Sequence, residues 1–171
     1  KVRHSATVQN GTLVIDTIDT RKWYDHICIS LGTPKMTVYL PQNEYASLII
    51  ETDTSDIYIP KDFTFEEMEI NGDTSEVECF ASVSNVLEIE LSTGDINVDS
   101  ITAGQVSLTT TTGEITVNDV TTKNDIDIET NTYDSNDENP ESYVTATPET
   151  TYEETTYEHN INVNKPIKNN V

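Results

Sequence analysis

Four carboxylates fall at the same place in a recurring phrase of this sequence: Asp56, Glu76, Asp95 and Glu114 directly precede the aliphatic residues Ile57, Val77, Ile96 and Ile115. If the phrases stack, the carboxylates form an outward column. At about 5 Å in water each like-charge pair then costs on the order of 0.8 kcal/mol. A hard cation such as Ca²⁺, which takes carboxylate and carbonyl oxygens as ligands, would relieve that repulsion; splaying into screened solvent is the other outcome. The chain has no Asp-x-Asp-x-Asp-Gly loop and no Ca²⁺-type nonapeptide repeat, so no metal is assigned to the column. Outward Tyr58 and the run Thr109, Thr110, Thr111 and Thr112 are the candidate contacts for a glycan or a surface protein. Other chemistry is thinner. His4, His26 and His159 are scattered, with no Cys or carboxylate at zinc-ligand spacing beside them. The serines and threonines sit in repeating turns, where backbone hydrogen bonding accounts for them, and no nucleophile with its base emerges. The residues support a non-enzymatic chain that carries no cofactor.

The element that must position these side chains runs from Leu48 to Thr132 and repeats one phrase. In its third copy Leu87, Ile89 and Leu91 alternate with Glu88 and Glu90, the period of a strand with one buried and one wet face. Ser92-Thr-Gly-Asp95 breaks the run, and Ile96 and Val98 resume the buried face. Corresponding positions Ile57, Val77, Ile96 and Ile115 are 20, 19 and 19 residues apart. A fixed period of that size marks coils stacked along an axis, since one repeat cannot bury its own inner face. The expected fold is therefore all-β: a β-solenoid of about five coils of 19–20 residues. Two inward ladders are predicted, Ile57, Val77, Ile96, Ile115 and Ile50, Ile70, Ile89, Leu108, Ile128. Phe63, Phe65, Phe80, Val83, Ile101 and Val120 in the connectors are expected to close a third side.

Residues 1–47 read as N-terminal strands that cap and feed the solenoid. Thr7-Val-Gln9 and Thr12-Leu-Val-Ile15 flank Asn10-Gly11, a strong hairpin signal that also explains the Asn10-Gly-Thr12 sequon. Further strands are expected over 23–31 and 36–40. Trp23 is either a ligand platform or a cap on the first coil. Residues 133–171 form an acidic Thr-, Glu- and Asn-rich tail with a last strand expected near 157–163.

A formal charge of −22 excludes partners more firmly than it names any. Nucleic-acid phosphates and anionic membrane headgroups would both be repelled, because binding either needs clustered Lys and Arg. Between Glu44 and Asn160 the only basic side chains are Lys61 and Lys123. No run of 18 apolar residues is present, and an export or anchoring segment N-terminal to Lys1 is expected. Cys28 and Cys79 are too few for a disulfide scaffold, and Cys79 takes an inward position where it serves as a small hydrophobe.

The order Gly11-Thr-Leu-Val-Ile15, Trp23, Met36-Thr-Val-Tyr-Leu-Pro41, then Thr93-Gly-Asp-Ile96 and Thr112-Gly-Glu-Ile115, resembles the adhesin family of bacterial envelope proteins. The resemblance covers residues 7–132 and departs from the pattern at Ser55 and Ser75, which stand where the later turns have glycine. It implies a β-helical repeat domain exposed at the cell surface, anchored N-terminally and binding a glycan or a protein. The alternative is an envelope domain that senses or scaffolds neighbouring membrane proteins.

Overall fold

The computed structural model describes residues 2–19, 35–130, 144–146 and 161–164. They fall into two compact units, Lys1–Leu40 and Pro41–Val171. Among the described residues every regular element is a strand.

In the first unit β1 (Val2–Gln9) pairs antiparallel with β2 (Thr12–Asp19). Asn10 and Gly11 both have positive φ, 52° and 82°, as a two-residue hairpin turn that follows the strand twist demands. Across the ladder His4 faces Thr17, and His4 Nδ1 lies 2.9 Å from Thr17 Oγ1. The strand expected over 36–40 does not form among the described residues: the segment has no ladder, and Met36, Val38 and Tyr39 are exposed. Its alternation supplies two faces, but a strand also needs a hydrogen-bonded neighbour. The strand expected over 23–31, with Trp23, His26 and Cys28, lies outside the described residues.

The second unit is a β-solenoid of about five coils built from parallel pairs. Its strands are β3 (Glu44–Thr54), β4 (Ile57–Ile59), β5 (Thr64–Thr74), β6 (Val77–Cys79), β7 (Ser82–Thr93), β8 (Ile96–Thr112), β9 (Ile115–Thr122) and β10 (Ile126–Thr130). On the first side the register runs Ile50, Ile70, Ile89, Leu108, Ile128 through β3, β5, β7, β8 and β10. On the second it runs Ile57, Val77, Ile96, Ile115, and beside it Ile59, Cys79, Val98, Val117. Both predicted ladders are thus in place, and from the second coil onward their members are buried. Each such aliphatic side chain contributes roughly 1.5–3 kcal/mol.

The third side differs in part from expectation. Phe65, Val83, Ala103 and Thr122 point inward, as do Ala81, Ile101 and Val120. Phe80 does not belong there. It is half-buried and packs its ring against Tyr58, centroids 5.6 Å apart. The alternation explains the placement: Cys79 is inward, so its neighbour in an extended strand faces out. One irregularity interrupts the register, with Val83 to Val86 spanning one residue more than Phe65 to Glu67. Gly104 accommodates that bulge from the next coil, since a Cβ there would lie 2.2 Å from the Asn85 carbonyl oxygen.

The stack does not stop at Thr130. β11 (Val144–Ala146) adds parallel to Ile115–Val117 of β9, and β12 (Ile161–Asn164) adds to Ile126–Glu129 of β10. The acidic stretch between them therefore separates strands that still stack, and residues 157–160 of the expected last strand lie outside the described residues.

Candidate functional site

The turns that carry the carboxylate column are tied from coil to coil by backbone bonds. Ile57 N–H donates to the Glu76 carbonyl at 2.7 Å, Val77 N–H to Asp95 at 2.9 Å, and Ile96 N–H to Glu114 at 2.9 Å. Register therefore brings Asp56, Glu76, Asp95 and Glu114 into one exposed column. The column does not converge. Asp95 Oδ1 instead accepts the backbone N–H of Glu114 at 2.8 Å, and among the described residues no three His, Cys, Asp or Glu side chains could hold a metal ion.

The threonine run is divided by the same pleat. Thr110 is fully buried and its hydroxyl donates to the Gly94 carbonyl at 2.9 Å, so it is no surface contact. Thr111 and Thr112 are exposed and Thr109 is half-exposed, in a column with Glu90 and Glu129. A run of four like residues in a strand belongs to two environments.

Tyr58 is the sequence-predicted contact best placed to act. Its side chain is 63% exposed, and Phe80 braces the ring at an interplanar angle of 49°. Ladder register sets Glu78 beside Tyr58, with Asn97 and Thr116 following in the same outward column. Asn97 keeps its Oδ1 buried without a hydrogen-bond partner among the described residues. Sequence reading missed Phe80 as a surface residue, although its position after inward Cys79 carried the signal.

Among the described residues the thiol is tied up in the core. Cys79 is a free thiol buried against Met68, its Sγ 3.9 Å from the Met68 sulfur, and burial pushes its pKa up to about 11. It is thus protonated at neutral pH and a poor nucleophile. In the first unit, a shallow hollow of about 410 Å³ is lined by Ala6, Leu13, Ile15, Met36 and Val38 beside His4. No helix among the described residues is long and apolar enough to cross a membrane.

A family model described as Toastrack DUF4097 matches residues 1–150. No curated protein and no solved structure matches the chain.

Proposed function

We propose, from the premise that this chain belongs to the Toastrack DUF4097 family, that its solenoid is a non-enzymatic interaction module displayed at the cell surface, contacting a protein or a glycan through its outward faces. The observation that carries this reading is the exposed Tyr58 ring, braced by Phe80 on a face whose backbone is fixed by ladders on a buried core. An aromatic side chain held in one orientation loses little freedom on binding, which suits it to anchor a partner. Register repeats the geometry from coil to coil, so neighbouring side chains sit at regular spacings of about 4.8 Å and present an extended contact strip.

The test is direct. The purified chain and its Tyr58→Ala variant are screened on a glycan array and against intact cells. Binding that Tyr58→Ala abolishes, while the far-ultraviolet spectrum stays unchanged, supports the reading. Binding indifferent to Tyr58 would overturn it. Protease shaving of intact source cells checks the location, with release of solenoid fragments as the expected result.

A further inference from the structure

We infer that the outward face of the first two coils, formed by Tyr58 and Phe80 with Asp56, Glu76 and Glu78, is a docking surface for an arginine-bearing segment of a partner protein. This rests on the interaction-module reading and names the partner's chemistry. Three observations carry it. First, the aromatic pair is preformed: the rings lie 5.6 Å apart and Tyr58 remains 63% exposed. Second, register sets Glu78 directly beside Tyr58, while Asp56 and Glu76 occupy the adjoining turn column. Third, among the described residues these three carboxylates find no cation, and the solenoid's own basic side chains are Lys61, beyond the Pro60 corner, and Lys123 in a later coil.

A guanidinium meets all three conditions at once. Its plane stacks on an exposed ring while its N–H groups reach a neighbouring carboxylate in a two-pronged bond. An ammonium group would take the charge but lose the planar stacking. A neutral sugar would use the ring and leave the surrounding negative charge unanswered. With a net charge of −22 on the chain, charge complementarity selects the cationic partner.

The experiment uses fluorescence anisotropy with a labelled Arg-rich peptide and a Lys-rich peptide of equal charge, at low and high salt. The proteins compared are the full chain, Tyr58→Ala, Glu78→Gln, and a control carrying Glu88→Gln and Glu90→Gln on a different face. The expected result is tighter binding of the Arg peptide than of the Lys peptide. Tyr58→Ala and Glu78→Gln should each weaken it roughly tenfold, the size of a partly desolvated cation–π contact or charged hydrogen bond. The control should lose less than about threefold, as solvent-exposed charges do. Equal losses in the control and the site variants would mean general charge attraction and would overturn the inference. So would absence of Arg-peptide binding. If the chain then still bound glycans or intact cells in a Tyr58-dependent way, the interaction-module reading would stand alone; if it bound none of these, both would fall.

Discussion

Two corners of the solenoid solve one packing problem in opposite ways. In the second coil the last inward register position of the strand is Gly72 and the turn carries Ser75, which is buried; in the third and fourth coils that position is Leu91 or Thr110 and the turn carries Gly94 or Gly113. A Cβ on Gly72 would lie 2.9 Å from both Leu91 Cδ2 and Ser75 Oγ, so the glycine vacates the space that the serine side chain fills. At the later corners the strand residue fills the space instead. The turn must then be bare, because a Cβ on Gly94 would fall 1.8 Å from the Ser75 carbonyl oxygen of the coil below. Gly94 also has φ +131°, a conformation other residues resist. From the second coil to the fourth, one side chain fills each corner while the residue supplying it changes place. Ser75, which stands where the later turns have glycine, is thus matched by Gly72 in its own strand, and the stack stays intact.

Both corners hang from the same inner ladder, and breaking that ladder gives the largest expected effect. Ile96 is buried between Val77 and Ile115, and Ile96→Asp would force an unpaired carboxylate into that contact. The cost of several kcal/mol is comparable with a domain's whole stability, so circular dichroism should show an unfolded chain. A native spectrum and melting point would sink the inward assignment. Next in size is Gly94→Ala. The obstructing atom is backbone carbonyl, which cannot swing aside, so the loss should be on the order of 3 kcal/mol. That corresponds to a melting temperature roughly 6–12 °C lower. Gly72→Ala meets side-chain atoms of Leu91 and Ser75 at 2.9–3.1 Å rather than a backbone carbonyl and should cost less than half as much.

How legible this was in the sequence follows from what each feature depends on. The ladders could be read because period-2 alternation and the recurrence every 19 or 20 residues report the same buried face twice. Cys79 and Ile96 fell into place on that ground alone. The corner exchange could not be read, because it depends on which side chain enters a shared volume and on a carbonyl belonging to another coil. Thr110 was likewise hidden: it was grouped with its neighbours by type, whereas the pleat separates them by direction. Phe80 was assigned to the core because it is apolar, when parity with Cys79 places it outside. The carboxylate column was correctly aligned by register, but alignment along a stack spreads ligands apart rather than gathering them around one ion.

If one side chain per corner is the rule, moving the fourth coil's solution into the second should work. Gly72→Thr alone overfills the space beside Ser75 and should lose about 2 kcal/mol. Adding Ser75→Gly empties the turn as Gly113 does, and the double variant should melt within about 3 °C of the parent, the non-additivity expected of residues that share one volume. Additive losses would show that the two corners are separate designs rather than exchangeable ones.

The smallest effect tests the polar half of the comparison. At the fourth coil the inward strand residue is Thr110, whose hydroxyl donates to the Gly94 carbonyl, whereas Leu91 at the third coil has no donor to offer. Thr110→Val keeps the shape and removes the donor, which should cost about 1 kcal/mol and lower the melting temperature by roughly 2–4 °C. Thr112→Val, two residues on and exposed, should move it by less than about 1 °C because surface changes of this kind are worth under about 0.5 kcal/mol. Equal shifts for the two would mean that the Thr110 hydroxyl adds nothing the apolar corner lacks.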